Sequence, residues 1–362
     1  MKSVGKRKTI IVLFLSTIAL YECGRANIAR PHLHVFSHRA ANRGIPDKSS
    51  DPQHLADNPL CPASICFLSI GDFGVGTEAQ AKVARQMGNY AEKYGAAFVL
   101  GLGDNFYGSG VRSTNDPQWE SKFESVYTHN ALRNIPWYMS IGDHDHLQSP
   151  LAQVEYTKDS SRWRMYDLYY SKHIYFTGKS SKGFSLQLVV TDSVGLEGDV
   201  ATGPASRRWP EIIEHDPTAN KAAGARQFAW LQDVLPKSTA DWLIVAGHRP
   251  ILTGGKRSRT DSEQAFMTRM KGICGQHNVS LYINGHDHTA QHLVDEAGVN
   301  YIVNGLGGYD VHGVHALPET RWNATDFHGF ALHMLSHDRM EVKWVDSSGN
   351  VVGHINIPRR SH

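Results

Sequence analysis

Cysteine is scarce in this chain, with four in 362 residues, at Cys23, Cys61, Cys66 and Cys274. That scarcity excludes a dense disulfide framework and the thiolate-rich ligand sets of structural zinc sites. Cys23 falls beside a predicted cleavage region, which leaves an odd number in the folded part. Cys61 and Cys66 are spaced to close a small loop with Cys274 buried on a helix, although sequence alone leaves the pairing open. Neither sign of charge is in excess: the formal net charge is +2. The basic residues are dispersed, and the best cluster, Lys256-Arg257-Ser258-Arg259, is short and reads as a solvated loop. A nucleic-acid footprint is thereby excluded. Beyond the amino terminus no apolar run is long enough to span a bilayer, and there is neither an internal repeat nor a low-complexity domain.

The amino terminus is the exception. Lys2, Lys6, Arg7 and Lys8 precede an uncharged, mostly apolar run from Thr9 to Tyr21. This is the pattern of a signal peptide, residues 1–26, cleaved within Cys23 to Ala26, with an uncleaved anchor as the alternative. The expected mature protein is soluble, without a stable membrane span, and secreted or held in a lysosomal or vesicular lumen. Two sequons fit that route as glycosylation sites, Asn278-Val-Ser280 and Asn323-Ala-Thr325. Room for a glycan at Asn278 depends on the turn before the next strand. Residues 27–60 are rich in His, Pro, Asn, Asp and Ser without periodicity and read as a flexible linker or propeptide. The folded domain is expected over 61–362.

Within that domain five apolar, β-rich runs end alike: CFLSIGDFG, AFVLGLGDNFY, WYMSIGDHDH, WLIVAGH and LYINGHDH. Each stops at glycine followed at once by an acid or imidazole. Seven metal-ligand types result: Asp72, Asp104 with Tyr107, Asp143, His248, and His286 with His288. A residue without Cβ lets the chain leave a strand through a conformation closed to others, so the next side chain projects from a tight turn. Side chains so placed converge at one edge of a sheet. A single GD is usually a turn or cap, but five such ends in one chain point to a metal centre. Carboxylate and imidazole without thiolate suit ferric iron and borderline divalent ions. The combination predicts a two-metal phosphatase.

Between these runs lie helical stretches. Glu78 to Tyr94 places Val83, Met87, Tyr90 and Tyr94 on one face, Gln118 to His129 follows the second GD turn, and Arg226 to Leu235 and Asp261 to His277 precede later strands. Tyr166–Tyr170, Ile174–Thr177 and Phe184–Asp192 read as neighbouring strands. Gly195 to Ala225, charged and rich in Pro, Gly and Ala, reads as a long loop, either cleavable or an insertion. The carboxy-terminal part is mostly strand. The expected fold class is α/β, a four-layer α/β/β/α sandwich of two mixed β-sheets flanked by helices.

GDFG, GDNFYGSG, GDHDH, AGHRPI and INGHDH stand in the order and spacing of the metallophosphoesterases, and the chain resembles a purple acid phosphatase of the small, tartrate-resistant animal type over roughly Phe67 to Arg360. The resemblance implies that Asp72, Tyr107 and His288 hold Fe(III). Asp143, His248 and His286 would hold a divalent metal, Fe, Zn or Mn, and Asp104 would bridge both. It further implies acid hydrolysis of phosphate monoesters, phosphopeptides or small phosphorylated metabolites, by metal-activated hydroxide in a monomer. His144 would face the substrate phosphate and serve as a catalytic proton donor. Asp145 and His146 would orient or pack. Two departures stand out. The family carries Asn where this chain has Asp143, which adds charge beside an anion site. After AGHRPI a family histidine is replaced by LTGGKRSRT, where Lys256 or Arg257 would supply positive charge. The competing reading is a phosphatase-like scaffold or membrane anchor, resembling glideosome-associated proteins, although Val351 to His362 is short for the carboxy-terminal helix such proteins carry. A nucleotide phosphodiesterase is disfavoured by Tyr107.

Overall fold

A computed structural model describes residues 51–178, 182–198 and 217–360. The predicted signal segment, most of the predicted linker and residues 199–216 lie outside them. In chain order the strands are β1 (Gln53–Ala56), β2 (Ile65–Ile70), β3 (Phe98–Leu102), β4 (Trp137–Ser140), β5 (Trp163–Arg164), β6 (Tyr170–Thr177), β7 (Phe184–Val190), β8 (Trp242–Ala246), β9 (Leu281–Asn284), β10 (Ala290–Val294), β11 (Asn300–Asn304), β12 (Thr320–Ala324), β13 (Gly329–Leu335), β14 (Arg339–Asp346) and β15 (Val351–Pro358). They form two mixed sheets, ordered β1-β6-β7-β8-β9-β11-β10-β12 and β15-β14-β13-β2-β3-β4-β5. The helices are α1 (Glu78–Tyr94), α2 (Asn130–Arg133), α3 (Pro150–Glu155), α4 (Ser193–Glu197), α5 (Pro217–Val234) and α6 (Asp261–Gln276).

Side-chain alternation builds the layers. Along β3, Phe98, Leu100 and Leu102 join the core shared by both sheets, while Val99 joins the outer cluster with Val83, Ala84 and Met87 of α1. In the other sheet Trp242, Ile244 and Ala246 of β8 face the shared core, and Leu243 and Val245 pack under Phe228 and Leu231 of α5 and Phe266 and Met270 of α6. Both faces of each sheet are covered, so the central strands read as continuous apolar runs. Each fully buried Leu, Met or Phe contributes about 1.5–3 kcal/mol. The four-layer expectation holds.

Helix boundaries follow local chemistry. Thr77 caps α1 by accepting from Gln80 N–H, and Gly95 ends it in the left-handed region at φ 58°. A capping box of Thr260 and Glu263 opens α6.

Several boundaries differ from those expected. Ordered structure begins before Cys61, because β1 pairs in parallel with Ile174–Thr177. Tyr166–Tyr170 is not a strand of its own, since β6 starts only at Tyr170. The stretch after Pro117 forms one wide helical turn, Glu120–Glu124, rather than a helix to His129. Helix α5 begins at Pro217, inside the predicted loop, where a proline fits the first turn. Cys61 and Cys66 are disulfide-bonded and Cys274 is a buried free thiol.

Candidate metal centre

All seven predicted ligands come together, three strand ends from one sheet and two from the other. Asp72, Asp104 and Asp143 follow the adjacent parallel strands β2, β3 and β4, and His248 and His286 follow the parallel neighbours β8 and β9. The glycine argument needs correcting. Among the five strand-end glycines only Gly103 has positive φ; instead the ligands Asp72 (φ 59°), Asp104 (φ 50°) and His286 (φ 65°) adopt the left-handed conformation themselves. Such backbone costs about 1–3 kcal/mol for a residue with Cβ and concentrates at functional sites. The glycines provide close approach: a Cβ on Gly285 would lie 2.5 Å from Asp72 Oδ2.

The ligand atoms fall into two triads. In one, Asp143 Oδ1 is 2.8 Å from His248 Nε2 and 3.1 Å from His286 Nδ1, and those nitrogens are 3.1 Å apart. In the other, Tyr107 Oη lies 3.0 Å from Asp72 Oδ1 and 3.3 Å from His288 Nε2, which is 3.2 Å from the same carboxylate oxygen. Asp104 joins them, with Oδ1 3.4 Å from His248 Nε2, and candidate ligand atoms of Asp72, Asp104 and His248 lie within 4.8 Å of one another.

These donors fit metal ions. The Leu102 carbonyl, 2.9 Å from His248 Nδ1, can only accept, so that nitrogen carries the proton and the Nε2 lone pair of the neutral ring faces Asp143. Two lone-pair groups at that distance require a cation between them, either a proton or a metal. Without a metal, burial works against a charged His248, but Asp104 and Asp143 outweigh it and push its pKa up to about 10. Burial also opposes ionisation of Asp143, yet His286 and Arg249 hold its carboxyl well below the usual range. Tyr107 is pushed well above the ordinary phenol value, by burial and then by Asp104 and Asp72.

Beside the triads, His144 N–H donates to Asp104 Oδ1 at 3.0 Å, and its Nδ1 lies 2.6 Å from the Gly108 carbonyl. Burial disfavours the charged ring, but Asp104 and Asp143 raise its pKa overall. Asp145 orients as expected, accepting from the backbone N–H groups of Asn105, Phe106 and Gly142, while His146 pairs with Asp192 at 2.9 Å.

Three neighbours go unassigned by sequence reasoning. Arg249 approaches Asp143 Oδ2 at 3.8 Å, Tyr309 stacks on Tyr107 at 3.9 Å between centroids, and His312 stacks on His288 at 4.0 Å. Only Arg249 had a signal, its place directly after His248; the others lie in loops without pattern. The solvated-loop reading holds for Lys256, Arg257 and Ser258, which are exposed, but not for Arg259, which is largely buried and pairs with Asp287. Asn278 and Asn323 are both half-buried, Asn323 within β12.

Acid and imidazole meeting at the carboxyl ends of strands, between two mixed sheets under helices, define the metallophosphoesterase class of fold. A model of the calcineurin-like phosphoesterase family matches residues 67–290, and the chain belongs to that family. It is similar to tartrate-resistant acid phosphatase type 5 of Rattus norvegicus, 31% identical over 83% of this chain and 92% of the relative. Purple acid phosphatase 7 of Arabidopsis thaliana is 29% identical over 82% of this chain and 87% of its own length. Among solved structures, a Plasmodium protein described as GAP50, the anchor in the inner membrane complex, superposes with TM-score 0.69 at 23% identity, covering 83% of this chain and 90% of that one.

Proposed function

We propose that the chain is an acid phosphatase hydrolysing phosphate monoesters, secreted or vesicular, with Fe(III) and a divalent Fe, Zn or Mn ion held by the two triads and bridged by Asp104. The observation that carries this reading is the grouping itself: one triad contains a phenol, the other does not, and a carboxylate lies between them. When bound, two such ions neutralise phosphate charge and activate water for in-line attack. The chain's own residues do the rest. The Leu102 carbonyl fixes the His248 tautomer, Asp145 clamps the Asp104 loop through backbone amides, and the Gly108 carbonyl accepts a hydrogen bond from His144 Nδ1–H. His144 Nε2 is then the nitrogen left to donate to the phosphate or to the departing alkoxide.

The test is to purify the full chain, count its metals, record its visible spectrum and measure p-nitrophenyl phosphate turnover against pH. Two metals, a phenolate charge-transfer band and turnover that peaks in acid are expected. Metals without turnover would favour the scaffold or anchor reading. The likeness to the Plasmodium anchor protein bears on that reading through the fold alone, and among the described residues no helix is long and apolar enough to cross a membrane.

A further inference from the structure

Three carboxylates, Asp72, Asp104 and Asp143, crowd a site proposed to receive an anion, and only Asp143 among them is partly exposed, its side chain at 28%. Its two oxygens face different ways. Oδ1 meets His248 and His286, while Oδ2 faces Arg249 Nη2 at 3.8 Å. Arg249 is held from every side. Its Nε lies 3.1 Å from Glu197 Oε2 on α4, its Nη1 donates to Glu263 Oε1 on α6 at 2.7 Å, and its side chain is only 12% exposed. Its backbone is tied as well, with N–H donating to Ser193 Oγ and the carbonyl accepting from Tyr282 Oη, both at 2.8 Å. Such clamping places one guanidinium against one carboxylate oxygen without occupying the ligand side.

We propose that Arg249 is the positioning and charge-balancing residue for Asp143, holding Oδ2 so that Oδ1 is presented to the divalent ion and offsetting the carboxylate's charge so that the centre accepts a phosphate anion. This rests on the metal-centre reading above. An amide at position 143 would set N–H groups against the guanidinium, so the two residues are matched.

The test is calorimetric binding of inorganic phosphate to the zinc-loaded full chain, with metal content measured in parallel, for the parent and for Arg249→Gln, Arg249→Lys, Asp143→Asn and the Asp143→Asn/Arg249→Gln double variant. Arg249→Gln removes a positive charge and is expected to weaken phosphate about tenfold, while Asp143→Asn alone tightens it by a similar factor. The double variant keeps the parent's net charge and returns to within about threefold of it. Arg249→Lys keeps the charge but not the fork, so phosphate affinity survives while thermal stability falls. That split separates a charge role from a purely structural one. Phosphate affinity unchanged in both Arg249→Gln and Asp143→Asn overturns the proposal, as does a double variant no better than Arg249→Gln. Where Arg249→Gln does not fold, Asp143→Asn and Arg249→Lys decide it alone. A parent that takes up no metal fails the metal-centre reading instead.

Discussion

Gly142 shows how little room the bridging carboxylate has. A methyl group there would lie 2.1 Å from Asp104 N and 2.2 Å from Asp104 Oδ1, against backbone that is already held in the left-handed region. Gly142→Ala is therefore expected to displace Asp104, losing metal from both triads while the cores remain folded. Metal content and thermal unfolding measured together check this, and a variant with full metal content sinks the bridging role. His144 makes the opposite prediction. Its side chain hydrogen-bonds to the Gly108 carbonyl and meets the triads through ring packing on Tyr107, 4.5 Å between centroids, so His144→Ala should leave metal content intact and lower kcat about 100-fold, the scale of a lost proton donor. Unchanged kcat would reduce it to a structural turn residue.

Helix α6 links local capping to the site. Thr260 Oγ1 accepts from Glu263 N–H at 3.2 Å, Glu263 Oε2 accepts from Thr260 N–H at 2.7 Å, and the other Glu263 oxygen holds Arg249. Thr260→Ala is expected to cost about 1 kcal/mol, seen as a lowered urea midpoint with an unchanged slope. A larger loss would mean that Glu263 has also let go of Arg249. Elements with a strong period were legible in the sequence. The α1 boundaries and the five ligand-bearing strands came through because both faces of those strands are buried and the run ends at a glycine with a metal-ligand type next. Helix α5 was misjudged at its start because Pro and Gly in Pro217 to Ala225 resemble loop composition, although proline at a first helical turn costs little. The aromatic run Tyr166–Tyr170 mimicked a strand, yet its rings serve packing: Tyr170 Oη donates to Met139 O, and Tyr166 stands edge-on to Tyr170. Strand β1 was invisible because four residues at a sheet edge carry too little pattern. Tyr309 and His312 owe their place to tertiary contacts that no spacing encodes, whereas Arg249 follows directly on the ligand His248.

At the level of the whole molecule, metal and acid pull stability in different directions. The proposed metal centre, three carboxylates and three imidazoles packed this tightly, is assembled in the folded state only, so stripping metal with a chelator should lower the melting temperature. At metal concentrations near 1,000 times the dissociation constant the loss is about 4 kcal/mol. Acid acts elsewhere. His333 on β13 is fully buried, stacked on Phe67 at 4.4 Å with Nε2 2.8 Å from Ser69 Oγ, and burial drives its pKa from 6.5 down to about 3. The folded chain thus refuses a proton that the unfolded chain accepts below pH 6.5. Its contribution is present in full above that pH and is lost as pH falls toward about 3, at a limiting slope of about 1.4 kcal/mol per unit. For an enzyme proposed to work in an acidic lumen this sets a floor. His333→Gln retains a partner for Ser69 without the titration, so its stability should fall less steeply than the parent's between pH 6 and pH 4, roughly the window between the two pKa values. Denaturant melts at stepped pH give both slopes, and parallel slopes would show that His333 is not what acid attacks.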